Sequence, residues 1–309
     1  MIELSVHLIT FNNEKYIDDT LQSILKQKTN FSFEIVVGDD CSTDNTLGII
    51  NEYDVNHPNL FNIKQNKKRL GILKNFKSTL DRCKGHYVFD LAGDDLLKSD
   101  YALQKMVDVL KNDDSLGFVD SGIDKLYEKN SKLIPFSNKN VLQNSKDIYR
   151  RHLLLGKLNP IGICYNKKHL YQYVDFETYL EKNITIEDYP ILVDLVKNTN
   201  FETINEVLHI YRVHDQSYSH TKSFQSHFFL KNQMKMLFKY FSKKYGYNHD
   251  LIETFNKYFF KDVLFLSGYF GQKEIGHQMF KKIKSKSFKD YIHFCASQNT
   301  YFRKLVSMF

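Results

Sequence analysis

Apolar and polar positions run in two alternating registers through the first part of the chain. Leu4 to Ile9 is a strand-length apolar run and Phe33 to Val37 is another. Short runs of this kind between polar loops fit strands buried on both faces. Between them, Glu14 to Lys28 puts Ile17, Leu21, Ile24 and Leu25 on one face at helical spacing. The alternation continues with a helix from about Asn45, a short strand including Asn62 to Lys64, and a helix from Ile72 to Cys83. A strand from His86 to Leu91 then ends in Gly93-Asp94-Asp95, and Tyr101 to Lys111 is helical again. Repeated β–α units predict an α/β fold, a mostly parallel sheet flanked by helices. Ligands of such sheets bind beyond the carboxyl ends of the strands.

After Gly117 the pattern loosens into shorter strands and turns up to about Ser219. From Thr221 it becomes helical, with Phe224, Phe228, Leu237, Phe238 and Phe241 and later Leu251, Phe255, Tyr258 and Phe259 near helical spacing. The organisation read from this is an α/β domain over 1–219, in halves 1–115 and 116–219, followed by an all-helical region over 220–309. No repeat or low-complexity linker separates them.

Composition narrows the class. The chain has 309 residues, 42% hydrophobic and 26% charged, with 4 prolines, which excludes wholesale disorder and linker-like architecture. Four cysteines, Cys41, Cys83, Cys164 and Cys295, lie far apart; this excludes a zinc ribbon or disulfide framework and fits a reducing cytosol. The first residues lack a basic stretch and read as a strand, so no signal peptide is expected. The most apolar late stretch, Tyr258 to Phe270, carries Lys261 and Asp262 and is too short to cross a bilayer. Net charge is +7, unevenly placed: from Thr221 onward there are 16 Lys and Arg against 5 Asp and Glu. A near-neutral front half with a basic, aromatic tail suggests two tasks in one chain.

Three phosphate- or metal-binding signatures are absent: GxGxxG after the first strand, GxxxxGK[ST], and HExxH. Instead, carboxylates crowd the strand ends. The first strand runs into Thr10-Phe11-Asn12-Asn13-Glu14, the second into Gly38-Asp39-Asp40-Cys41-Ser42-Thr43-Asp44, and the fourth into Ala92-Gly93-Asp94-Asp95. Gathered carboxylates repel one another unless a cation or hydrogen-bond donors compensate. Ser42 or Asp44 also suits a helix cap, and Asp94-Asp95 a turn.

Five segments together resemble the family 2 glycosyltransferases of the GT-A fold: VHLITFNNEKY (6–16), FEIVVGDDCSTDNT (33–46), YVFDLAGDDLL (87–97), IEDYPILVDL (186–195) and YRVHDQS (211–217). The resemblance covers Met1 to about Ser219. It implies a GT-A type, Rossmann-like sheet with a nucleotide-sugar-binding half followed by an acceptor half. Thr10, Phe11, Glu14 and Asp39 then match residues holding base and ribose. An ionised carboxylate only accepts hydrogen bonds, which suits Asp39 to a base N–H. Arg69 lies where the family often carries a basic residue near the nucleotide; in the run Lys67-Lys68-Arg69 it equally suits a solvated charge. Asp94 and Asp95 match the end of the acidic motif, Asp94 among the nucleotide-sugar-binding residues and Asp95 as ligand for Mn²⁺ or Mg²⁺, with Ala92 in place of the family's first acidic residue. Asp188 matches the catalytic base, with Glu187 as the fallback, at a helix start supported by Pro190. An Asp exposed there is expected to be ionised at neutral pH. His214 matches a histidine that touches the metal or diphosphate, so the resemblance implies Asp95 and His214 as the metal-binding residues, and the Arg-x-His spacing puts Arg212 and His214 on one face of an extended segment. Asn159-Pro160-Ile161-Gly162 would lie near the acceptor, as packing or as contact.

The expected activity is inverting, metal-dependent transfer of a sugar from a nucleotide-sugar donor, most simply UDP-linked, to a growing bacterial surface glycan such as O-antigen or capsule on a lipid carrier. The basic tail reads either as an aromatic core with a solvated lysine face or as a patch for an anionic membrane surface on the cytoplasmic side. No nucleic-acid signature accompanies the charge. Rival readings are a sugar nucleotidyltransferase, whose glycine-rich loop is missing here, and a non-catalytic nucleotide-sugar or membrane-surface binding protein.

Overall fold

A computed structural model describes residues 2–136, 145–158, 161–215 and 223–306. The chain divides into two units, 1–214 and 215–309. In the first, nine strands among the described residues form one sheet in the order β3-β2-β1-β4-β8-β6-β9-β5, with β7 on β6. These are β1 (Leu4–Thr10), β2 (Phe33–Asp39), β3 (Phe61–Gln65), β4 (Tyr87–Ala92), β5 (Leu96–Leu97), β6 (Leu116–Tyr127), β7 (Lys132–Phe136), β8 (Cys164–Asn166) and β9 (Asn200–Val213). The pairs β1–β2, β1–β4, β2–β3 and β6–β9 are parallel. The three-residue β8 runs antiparallel between β4 and β6.

The apolar periodicity explains the layering. Leu4, Val6 and Leu8 of β1 alternate inward on one face, with Ile35, Val37, Phe89 and Leu91 of the neighbouring strands. Against them pack Ile17, Leu21 and Ile24 of α1 (Ile17–Leu25) and Leu103, Met106, Val107 and Leu110 of α4 (Ala102–Asn112). Each such side chain contributes about 1.5–3 kcal/mol by leaving water. On the opposite face, Phe76 and Leu80 of α3 (Ile72–Leu80) are buried.

The helix expected from Glu14 starts only at Ile17. Residues 13 and 14 are tied instead to α2 (Thr46–Asn56) and the turn before it: the Asn13 N–H donates to Thr46 Oγ1 (2.7 Å) and the Glu14 N–H to Asp44 Oδ2 (3.2 Å). This locks the β1 and β2 end loops together. Both turn through left-handed non-glycine residues, Asn12 (φ 54°) and Cys41 (φ 67°), a strained backbone held by its surroundings.

The second unit is helical: α9 (Phe224–Lys244), α10 (His249–Phe270), α11 (Lys273–Lys282), α12 (Phe288–Gln298) and α13 (Thr300–Val306). The aromatic stripe is chiefly core, since Phe224, Phe238, Phe241, Phe255 and Phe259 are buried and Phe238 stacks on Phe255 at 3.7 Å between centroids. Phe229, Phe265, Tyr269, Phe288 and Tyr291 stay exposed. No helix among the described residues is long and apolar enough to cross a membrane.

Candidate active site

The parallel register brings the distant loops to one edge of the sheet. Thr10 pairs with Asp39 and Ile9 with Ala92, so the residues after β1, β2 and β4 emerge side by side. Gly93 is required at this edge, because a Cβ there would lie 2.6 Å from Thr10 Oγ1.

Asp39 is fully buried. Its Oδ1 accepts the Ser42 N–H at 2.6 Å, while Oδ2 and the buried Thr10 Oγ1 have no hydrogen-bond partner among the described residues. Burial therefore raises the Asp39 carboxyl above the usual range, the Ser42 amide partly opposing it. The adjacent Asp40 is structural. It accepts the Leu70 N–H (2.7 Å), the Gly71 N–H (2.9 Å) and the Asn66 amide (3.1 Å). The turn needs glycine at 71, where φ is 85°. It delivers Arg69 to the β1 loop, its guanidinium 3.9 Å from the Phe11 ring centroid, a cation–π contact. Arg69 is thus no merely solvated charge. Glu14 turns elsewhere: its carboxylate accepts the Asn45 N–H at 2.8 Å, at the helix start where a negative charge is favoured. Asp44 serves the same helix start, accepting the Thr46 N–H at 3.1 Å.

Asp95 is buried, with Oδ1 accepting the Arg212 N–H at 2.9 Å. Burial first, then the neighbouring Asp94 charge, holds its carboxyl well above the usual range. Arg212 donates from Nε to the Asp94 carbonyl (2.8 Å) and through its guanidinium to Glu128 and to Asp19 (3.0 Å). His214 Nε2 lies 2.9 Å from Asp94 Oδ2, and its ring is 4.4 Å from Tyr16. The shared face expected of Arg212 and His214 therefore meets the Asp94-Asp95 pair.

Among the described residues no three His, Cys, Asp or Glu side chains gather as ligands of one ion. The donor set nevertheless fits a hard cation completed by substrate, because Mg²⁺-like ions bind through one or two carboxylates plus phosphate oxygens. Asp95 Oδ2 takes no hydrogen bond among the described residues, and a cation would relieve its buried charge.

Glu187 precedes and Asp188 begins α8 (Asp188–Asn198), with Pro190 in its first turn; the Glu187 side chain makes no capping bond to the helix. The expectation of an exposed, ordinary Asp188 is corrected here, since the residue is half-buried. Burial raises both carboxyls, and Glu187, next to Asp188 and with Asp90 also nearby, stands well above its usual range. Asp188 Oδ1 accepts the Tyr189 N–H at 2.6 Å, which favours its charged form. Burial and the proximity of other acids thus raise the proton affinity of the pair as a whole.

Asp90, also missed from the sequence, raises the proton affinity of Asp95, Glu187, Asp188 and the buried Tyr165. Its signal was an acid inside an otherwise apolar strand. Of the four residues expected near an acceptor, Asn159 and Pro160 lie outside the described residues, as do Gln216 and Ser217 of the last motif. Cys164 is buried, its thiol pushed up by desolvation. A separate concavity of about 570 Å³, lined by Ser115, Arg150, His169, Lys197 and Asn200 among others, opens at the amino-terminal end of β6 and β9. None of the expected site residues lines it.

A mostly parallel sheet with acid pairs beyond its strand ends is the arrangement that the GT-A resemblance implied, and the family comparison agrees. The profile described as Glycosyl transferase family 2 matches residues 5–174. The chain belongs to that family. It is 30% identical over 162 residues to an uncharacterised protein of Mycobacterium bovis, covering 48% of this chain and 47% of that protein, so the chain spans about half the length of this relative. It is 36% identical over 116 residues to the chondroitin synthase of Escherichia coli, 38% of this chain and 16% of that enzyme. In structure it is similar to Staphylococcus aureus TarS 1–349 in complex with UDP-GlcNAc, with a TM-score of 0.56, 16% identity and coverage of 97% and 92% of the two chains. It is also similar to the mannosyltransferase PcManGT of Pyrobaculum calidifontis in complex with GDP-Man and Mn²⁺, with a TM-score of 0.53, 15% identity and coverage of 99% and 83%. At these identities the structural likeness is one of fold.

Proposed function

We propose that the chain is an inverting, metal-dependent glycosyltransferase that moves a sugar from a UDP-linked donor to a hydroxyl of a growing, lipid-linked bacterial surface glycan. The observation that carries this reading is geometric: β2 and β4 flank β1 in parallel, so Asp39 and the Asp94-Asp95 turn leave the sheet at one edge, and Asp90 of β4 acts electrostatically on both Asp95 and the Glu187-Asp188 pair. Asp39 accepts the base N–H through its unpartnered Oδ2. Phe11 and Arg69 flank the base, and Thr10 offers its hydroxyl. Asp95 and Asp94, with His214 orienting Asp94, would hold Mn²⁺ or Mg²⁺. That ion, when bound, neutralises charge on the diphosphate.

Asp188 takes the proton of the acceptor hydroxyl. The acceptor oxygen attacks the anomeric carbon, the bond from that carbon to the diphosphate oxygen breaks, and the electron pair leaves with the nucleotide. A base with a raised pKa suits this step, because proton transfer is most effective when the base titrates near the working pH.

A thermal-shift screen of nucleotide sugars with and without Mn²⁺ tests the reading, since a ligand that binds only the folded state raises its melting point. A selective, Mn²⁺-enhanced shift with one nucleotide class is expected; no shift with any donor refutes it.

In the helical unit, Lys281, Lys282, Lys284, Lys286 and Lys289 share one stretch of chain with the exposed Phe288 and Tyr291. This supports peripheral docking on the anionic cytoplasmic leaflet, where each basic residue contributes about 1 kcal/mol near the surface. Co-sedimentation with phosphatidylserine vesicles but not with neutral ones is expected; equal binding to both contradicts it.

A further inference from the structure

His7 and Asp90 are register partners on β1 and β4. His7 is completely buried, with Nδ1 2.7 Å from Asp90 Oδ1 and Nε2 2.9 Å from the Phe76 carbonyl oxygen. The Phe76 carbonyl can only accept, so Nε2 donates there and Nδ1 is left to share the hydrogen bond with the Asp90 carboxyl. The ring packs on Phe76 at 4.4 Å between centroids. It is therefore fixed at both ends and holds the Asp90 carboxylate in one orientation.

The second oxygen of that carboxylate is unused: Asp90 Oδ2 takes no hydrogen bond among the described residues, and the side chain is 23% exposed. Strand alternation puts Asp90 on the same face as Ala92, whose methyl leaves it unscreened. Asp90 also acts electrostatically on Asp95, Glu187, Asp188 and Tyr165 together. It lies amid the carboxylates proposed to hold the cation and to accept the proton.

Packing does not account for this residue. The other β4 positions through Leu91 are buried and apolar, and a further negative charge beside the carboxyl groups of Asp95, Glu187 and Asp188 opposes folding. A buried histidine dedicated to orienting a half-open carboxylate is instead the arrangement by which sites hold a group for a ligand. The span between a leaving diphosphate and an acceptor base is where the transferred sugar must sit, and sugar hydroxyls donate to carboxylates.

We propose that Asp90, oriented by His7, accepts a hydrogen bond from a ring hydroxyl of the transferred sugar and so helps to select the donor. The inference rests on the glycosyl-transfer reading. In it, Asp90 is a specificity-determining residue and His7 a positioning residue.

The test compares the wild-type chain with Asp90→Ala and Asp90→Asn. It uses the donor identified by thermal shift, its singly deoxygenated analogues, and the free nucleoside diphosphate as probes. Free-diphosphate affinity should stay within about twofold in both variants, while kcat/KM for the parent donor falls about 10- to 100-fold. One deoxy analogue, poor for the wild type, should be used about as well as the parent by Asp90→Ala. His7→Gln should reproduce part of the loss in kcat with diphosphate binding intact. Because His7 is buried and its variant can misfold, the two Asp90 variants decide the outcome. Wild-type discrimination among the deoxy donors in a folded Asp90→Ala protein overturns the proposal while leaving the transferase reading standing. Absence of any donor turnover by the wild type overturns both.

Discussion

Replacing Asp39 by Asn separates a ligand-binding carboxylate from a structural one by the sign of two effects. In the folded protein Oδ1 accepts the Ser42 N–H and Oδ2 is buried without a partner among the described residues. Asn keeps the first contact through its carbonyl oxygen and puts an NH₂ where Oδ2 was. A base N–H then meets a donor instead of an acceptor. A hydrogen bond to a charged group contributes about 1.5–3 kcal/mol, and 1.4 kcal/mol is tenfold in Kd. The variant should therefore bind UDP about 10- to 100-fold more weakly by calorimetry. Stability should move the other way or stay level. Burial raises the Asp39 pKa, so ionising it at neutral pH opposes folding, and the neutral Asn escapes that cost. The thermal midpoint at pH 7.5 without ligand should be no lower than that of the wild type. Weaker folding with unchanged UDP affinity refutes the reasoning.

Other outcomes follow from the same geometry. Asp95→Ala should abolish the Mn²⁺-dependent part of donor binding and leave metal-free UDP binding within about threefold, read by calorimetry with and without Mn²⁺. Arg69→Ala, which removes the guanidinium stacked on Phe11, should weaken UDP by about 0.5–2 kcal/mol without shifting the thermal midpoint, as calorimetry and a melt would record. Asp120 in β6 is buried and its pKa is pushed up from 3.8 to about 6 by desolvation. Its contribution to stability is complete below pH 3.8 and lost as pH rises through 6. Asp120→Asn should flatten that part of the stability–pH curve and gain about 2–3 kcal/mol at pH 7.5 in denaturant titrations.

How much was legible in the chain depended on how local each signal was. The strands β1, β2 and β4 and the inward face of α1 follow from apolar spacing alone, and the carboxylates at strand ends follow from the strands. The start of α1 did not, because Asn13 and Glu14 are bound by residues 44 and 46 across the sheet edge. The stretch holding β6 and β9 was read only as shorter strands and turns, because register shifts near Ser121 and Gly122 interrupt the pairing of these two long strands. Asp188 was read as exposed because a polar pair before a helix usually faces water. Its half-burial comes from tertiary packing that no local pattern encodes. The His7–Asp90 pair joins residues 83 positions apart and becomes visible only once β1 and β4 are aligned.

The most direct measurement is nucleoside-diphosphate release from the preferred donor by wild type and Asp188→Asn side by side, with donor affinity measured on the same samples. A general base is worth about 10²- to 10⁴-fold, so the variant should bind the donor as the wild type does and turn it over at least a hundredfold more slowly. Release at the wild-type rate from Asp188→Asn would contradict the role given to that carboxylate and, with it, the mechanism.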